Sequence, residues 1–233
     1  MNIVITGASK GMGKALAVKF AVDKNNIFIC ARNENELKQT ASEIRQNDKV
    51  HVEYFAADLS KKNSAFKLAD WLSTKKITPD ILINNAGLFI PGSVYNEKDG
   101  ILEEMISSNL YTAYYVTRAL LPSMMEKKTG HIFNMCSIAA LKAYNNGGSY
   151  SISKFALMGF SRNLREELKP FNIKVTAVYP GAVFTSSWEG SGVKQSRIME
   201  ANDISEMIYA ASLLSPQACV EDIIIRPQLG DLP

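Results

Sequence analysis

Tyr150 and Lys154 stand four residues apart in the run Tyr150-Ser151-Ile152-Ser153-Lys154, a spacing that puts both on one face of a helix. Such a pair brings an ammonium close to a phenol. A tyrosine at its ordinary pKa of about 10 is a poor base near neutrality, and a neighbouring positive charge favours tyrosinate. Tuned in this way, Tyr150 could exchange a proton with an oxygen, while Ser137, closing the run Met135-Cys136-Ser137, could donate a hydrogen bond that polarises a carbonyl. The same spacing also arises in many helices for structural reasons alone. The serine ahead of it and the Pro180-Gly181 pair beyond it lend the chemical reading its weight.

A second constellation lies near the start of the chain. Thr6-Gly7-Ala8-Ser9-Lys10-Gly11-Met12-Gly13 follows an apolar run and leads directly into Lys14-Ala15-Leu16-Ala17-Val18, which has helical character. Glycines at such a junction let a pyrophosphate approach the backbone amides and the positive end of a helix, so a dinucleotide is the natural ligand. The spacing is G-x-x-x-G-x-G rather than G-x-G-x-x-G, and a plain turn is the alternative. The second strand-like run ends in Ile29-Cys30-Ala31-Arg32-Asn33, with no acid to bind a ribose diol. Arg32 and Lys10 could instead grip a 2′-phosphate, which favours NADP over NAD; otherwise both are solvated surface cations.

Stepping along the chain, seven strand candidates occur near 2–6, 26–31, 50–55, 80–84, 130–136, 173–178 and 222–226, with helical spacing between the first six. The alternation implies an α/β fold: a parallel sheet covered by helices on both faces. Helices are expected over about 97–127 and about 148–168, and either could carry an apolar face for subunit contact. No linker or repeat divides the chain, so residues 1–233 read as one domain. The Gly/Ser-rich stretch 186–201, with Trp188, reads as a lid over the substrate.

Together with Asn84-Asn85-Ala86-Gly87, Asn109 and Pro180-Gly181-Ala182-Val183-Phe184-Thr185, these motifs resemble the short-chain dehydrogenase/reductase family over almost the whole chain. The resemblance implies a Rossmann-like, doubly wound, seven-stranded sheet in three α/β/α layers. It also implies NADP(H)-dependent hydride transfer between the nicotinamide and a carbonyl or alcohol. The catalytic tetrad would be Asn109, Ser137, Tyr150 and Lys154, with Lys154 also on the nicotinamide ribose and Asn109 holding a water. Cofactor contacts would come from Gly7, Ser9, Lys10, Gly11, Met12 and Gly13, then Arg32, Asp58 and Leu59. Asn85, Ala86 and Gly87, the pair Tyr150 and Lys154, and Pro180, Gly181, Val183 and Thr185 complete the set. Asp58 could equally cap the helix starting near Ser60.

The stretch Ile138–Tyr144 and Trp188 suggest a neutral, partly apolar substrate. A 3-oxoacyl group on an acidic carrier protein is an alternative, with Lys127 and Lys128 as the contact, though two such lysines are usually a solvated helix end. A non-enzymatic NADP(H)-binding regulator would be expected to lack Ser137, Tyr150 or Lys154. By family likeness the chain is expected to form a homodimer or homotetramer. The net charge of +3, without a basic block, gives no footprint for nucleic acid or an anionic membrane. No run approaches a membrane-spanning length and the chain opens directly on a strand, so the cytoplasm is the expected location. Three widely spaced cysteines suggest a reducing compartment, with Cys30 and Cys136 in the core. The two histidines, His51 and His131, are too far apart to suggest a metal site.

Overall fold

Apolar side chains in the strands alternate between two covered faces, and that double burial is why these runs fold as a parallel sheet. The computed structural model describes residues 1–48, 50–185, 188, 190 and 192–232. Its strands are β1 (Asn2–Thr6), β2 (Asn26–Ala31), β3 (Val52–Ala56), β4 (Ile81–Asn84), β5 (Gly130–Met135), β6 (Ile173–Pro180) and β7 (Asp222–Ile225). The helices are α1 (Gly11–Ala21), α2 (Glu34–Asp48), α3 (Lys62–Thr74), α4 (Ile101–Ile106), α5 (Thr112–Lys127), α6 (Gly148–Leu168) and α7 (Ala201–Ser212). All strand pairs are parallel, in the order β3-β2-β1-β4-β5-β6-β7.

Ile3, Ile5, Ile27, Ile29 and Ile83 point to one face, where they meet Leu16 and Phe20 of α1, Leu37 of α2 and Ile204 and Ile208 of α7. Val4, Phe28, Cys30, Leu82 and Ile132 point to the other, against Leu68 of α3, Leu120 of α5 and Leu164 of α6. This is the doubly wound, three-layer Rossmann-like arrangement. Since β1 has β2 on one side and β4 on the other, the loops after β1 and β4 diverge and open a crevice at the carboxyl ends of the strands.

The expected continuous helix over 97–127 is corrected. Gly100 is the N-cap, so α4 begins later, and a π-helical turn at Ser107–Tyr111 separates α4 from α5. Such a widened turn often marks a functional position, and here it contains Asn109. Ser186, Ser187, Glu189 and Ser191 of the expected lid lie outside the described residues. The end of that segment is anchored: Ile198 and Met199 are buried, and Met199 exchanges backbone hydrogen bonds with Ala182 and Phe184 at 3.1 and 2.7 Å.

Cys30 and Cys136 are buried free thiols, and burial pushes the Cys136 thiol up to about 11. His131 is packed flat on Phe133 and bonded to Thr176, and burial holds its pKa down at about 3. Among the described residues no helix is long and apolar enough to cross a membrane.

Candidate active site

Gly7 and Gly13 line the turn from β1 into α1, and the packing there leaves no room for side chains. A Cβ on Gly13 would lie 2.2 Å from the Gly7 carbonyl oxygen and 2.6 Å from Asn85 Nδ2. Asn85 Nδ2 donates to the carbonyls of Thr6 and Gly7 at 3.1 and 2.9 Å, and the Thr6 hydroxyl accepts the N–H groups of Asn85 and Ala86. The ends of β1 and β4 are thus tied together around a backbone-lined hollow at the N-terminus of α1. Across it stands Thr185, whose methyl would be 3.3 Å from a Cβ on Gly11. Met12 packs partly against the core, and the Ser9 carbonyl accepts the Thr40 hydroxyl. This cradle of amides, open to an anion at a helix start, fits a dinucleotide pyrophosphate.

Lys10 and Arg32 are exposed at the rim of the same end of the sheet, one before α1 and the other just after β2. Asp58 follows β3. Its Oδ1 accepts both the N–H and the hydroxyl of Ser60, while α3 begins only at Lys62, so the expected helix cap is corrected to a turn within the loop. Burial works to raise the Asp58 pKa, but the two Ser60 bonds with the charges of Lys61 and Arg32 outweigh it and lower the value. Leu59 is buried in the core.

The catalytic candidates come together on the other side of the crevice. Ser137 follows β5; its hydroxyl accepts the Ala139 N–H at 3.1 Å, and the Ser151 hydroxyl donates to the Ala139 carbonyl at 2.6 Å. The turn after β5 is therefore pinned to α6. Tyr150, half-buried on α6, has the Ser137 hydroxyl as a hydrogen-bond partner. Lys154 Nζ lies 5.7 Å from the centre of the Tyr150 ring and donates to the Met135 carbonyl at 2.8 Å. Asn109 is fully buried: it accepts the Leu88 N–H at 2.7 Å and donates to the Leu88 carbonyl and to Ser153 Oγ, each at 2.9 Å. A Cβ on Gly87 would lie 2.9 Å from Asn109 Oδ1 and 3.6 Å from Lys154 Nζ, so glycine keeps the approach to both open.

The electrostatics differ from the expected tuning. Burial pushes the Tyr150 phenol up to about 12, partly offset by its Ser137 bond. Burial also pulls the Lys154 ammonium down to about 8. An ammonium at this distance does not outweigh the loss of solvation, so in the protein alone the phenol is held protonated.

The burial of Lys154 also bears on stability. The unfolded chain holds the lysine proton more tightly than the fold does, so burial costs stability in full below about pH 8 and is relieved as the pH rises towards 10.5. Thermal melts without cofactor should show the parent gaining stability relative to Lys154→Met across that interval. Parallel curves would contradict this account of Lys154.

Pro180 ends β6, and Gly181 packs against Pro227 of the chain's last turn. Val183 is buried and bridges Met199. Ser153, Thr6 and Phe89 are among the residues that escaped the sequence reading. Ser153 links Asn109 to the Tyr150 carbonyl, and its place inside the Tyr-x-x-x-Lys run was the available signal. Thr6 braces β4, as its position beside the first glycine could have suggested. Phe89 meets Tyr150 edge-on at 4.8 Å, with no signal in the sequence. Lys127 and Lys128 lie at the opposite end of the sheet. Lys127 pairs with Asp80, just before β4, so this geometry gives no support to a carrier-protein contact there.

Comparison with known proteins agrees with this architecture. The model of the short chain dehydrogenase family matches residues 1–195. Sepiapterin reductase from Chlorobaculum tepidum is 29% identical over 99% of this chain and 97% of its own length. An alcohol dehydrogenase from the archaeon Thermococcus sibiricus, solved with 5-hydroxy-NADP, is 25% identical with a TM-score of 0.91, covering 100% of this chain and 98% of that one. A metagenomic short-chain oxidoreductase in complex with NADP is 28% identical with a TM-score of 0.85, over 98% and 97% of the two chains.

Proposed function

Because the chain belongs to the short-chain dehydrogenase family, we propose that it is an NADP(H)-dependent oxidoreductase interconverting a carbonyl and its alcohol, with Tyr150 as acid/base. The observation that carries this reading is the convergence of Ser137, Tyr150 and Lys154 beside a cradle too tight for side chains.

The nicotinamide, when bound, supplies the hydride. Gly7, Ser9, Gly11, Met12 and Gly13 hold the pyrophosphate, Arg32 and Lys10 the 2′-phosphate, and Asp58 and Leu59 the adenine. Asn85, Ala86 and Gly87 line the adenosine ribose, Lys154 and Tyr150 hold the nicotinamide ribose, and Pro180, Gly181, Val183 and Thr185 flank the nicotinamide. Ser137 donates a hydrogen bond to the carbonyl oxygen and aligns it with Tyr150. The phenol, held protonated by burial, gives its proton to that oxygen as negative charge develops there. Lys154 stabilises the tyrosinate left behind, and Asn109 orders the water through which the proton is replaced.

Phe89, Leu141, Tyr144 and Trp188 form the substrate side, which favours neutral, partly apolar carbonyl compounds. Exposed Ile152 and Phe155, three residues apart on α6, favour a homodimer or homotetramer.

The test follows cofactor absorbance against a panel of neutral aldehydes and ketones, with a 3-oxoacyl thioester included. The parent should consume NADPH with at least one of them and prefer it to NADH. A charge-assisted phosphate contact contributes about 1.5–3 kcal/mol, so Arg32→Ala should weaken NADPH binding about 10- to 100-fold and leave NADH unchanged. A parent that prefers NADH would overturn the role of Arg32; a parent that oxidises neither cofactor with any carbonyl would overturn the reaction.

A further inference from the structure

Helix α6 carries Tyr150 in its first turn, yet that turn is poorly built to stand alone. Its N-cap is Gly147, followed by Gly148 and Ser149, and no side chain of the N-cap bonds to the free amides. Glycine is a weak helix former, and uncapped N–H groups invite fraying. The missing acceptor comes from Glu97, on the segment between β4 and α4. Its carboxylate accepts the Ser149 hydroxyl and, at 3.3 Å, the Ser149 backbone N–H. A carboxylate there also meets the positive end of the helix dipole.

The two segments interlock around this contact. The Gly92 N–H donates to the Asn146 carbonyl at 3.1 Å, and the Ser93 hydroxyl to Asn146 Oδ1 at 3.0 Å. Gly148 permits the approach: its φ is +32°, and a Cβ there would lie 2.4 Å from the Gly92 carbonyl oxygen and 2.9 Å from Glu97 Oε2. The other end of the same segment is held by Asn109, which bonds both backbone groups of Leu88. Between the two anchors Phe89 packs edge-on against Tyr150. Glu97 thus bears on Tyr150 through the helical turn that carries its backbone, while Phe89, on the same segment, seats the ring.

We infer that Glu97 is a positioning residue for Tyr150, its carboxylate supplying the cap that α6 lacks. The inference rests on the proposed role of Tyr150, and Glu97 acts through Ser149 rather than on the reacting atoms.

Glu97→Ala should lower kcat about tenfold, since small losses of alignment are costly in turnover, while the Kd for NADPH stays within about twofold. Glu97→Gln keeps an oxygen for the Ser149 N–H and an amide for its hydroxyl, and should recover kcat to within about threefold of the parent. Three results would overturn the assignment: an unchanged kcat in Glu97→Ala, a parallel fall of kcat and NADPH affinity, or a Gln variant as slow as the Ala variant. Should Glu97→Ala fail to fold, Ser149→Ala removes only the hydroxyl bond, and an unchanged kcat there overturns the assignment equally. Turnover that survives Tyr150→Phe would sink the proposed reaction itself. Turnover that needs Tyr150 but ignores Glu97 would sink only this inference.

Discussion

Tyr150→Phe should reduce carbonyl-dependent oxidation of NADPH by about a thousandfold, within the range by which a positioned acid or base accelerates a reaction. The substitution removes one oxygen and keeps the ring, so the edge-on contact with Phe89 at 4.8 Å persists. Ser137 stays pinned through Ala139, and Lys154 stays bonded to Met135, because neither contact involves the phenol. What is lost is the proton that burial keeps on the phenol. NADPH affinity, measured by fluorescence titration, should therefore change only a few-fold while turnover collapses. Retention of even a tenth of the parental rate would mean that another group delivers the proton.

An effect of comparable size is expected at Gly13, for a steric reason. Gly13→Ala would bring a methyl within 2.2 Å of the Gly7 carbonyl oxygen and 2.8 Å of Ala8 Cα, and both obstacles are backbone. Relief requires the turn after β1 to move, and that turn is held by Asn85 through the Thr6 and Gly7 carbonyls. Overpacking of this kind costs about 1–3 kcal/mol, and the displaced amides are those proposed to meet the pyrophosphate. We expect a lower Tm together with loss of NADPH binding by about a hundredfold or more, from a strain of that size added to the lost amide contacts. Parental affinity in Gly13→Ala would rule out the glycine loop as the pyrophosphate site.

All seven strands were legible, to within two residues at each end, because a parallel sheet covered on both sides needs continuous apolar runs and these stand out between helices. Helix α6 was legible over its full length from its apolar spacing. The π turn at Ser107–Tyr111 was not, since apolar residues continue on either side of it and the Asn109–Leu88 bonds that accompany it are tertiary. Residue types and order led to Ser137, Tyr150 and Lys154. The direction of the Tyr150 shift could not be read the same way: solvation depends on everything packed around a group, whereas a neighbouring charge is visible as a letter four positions away. Glu97 was invisible for a related reason, because its partner Ser149 lies 52 residues on and only the close passage of Gly148 past Gly92 brings them together.

The order of the strands also bears on how the chain acquires its site. β1 is flanked by β2, which follows after one helical crossover, and by β4, whose Ile81 pairs with Ile3 only after three. The glycine turn is framed when Asn85 arrives at its side, so the cradle cannot mature with the β1-α1-β2 unit alone. Long-range pairings of this kind close late and slowly. The β1-α1-β2 unit alone therefore leaves the glycine turn unbraced, and binding competence should appear only once β4 has paired with β1.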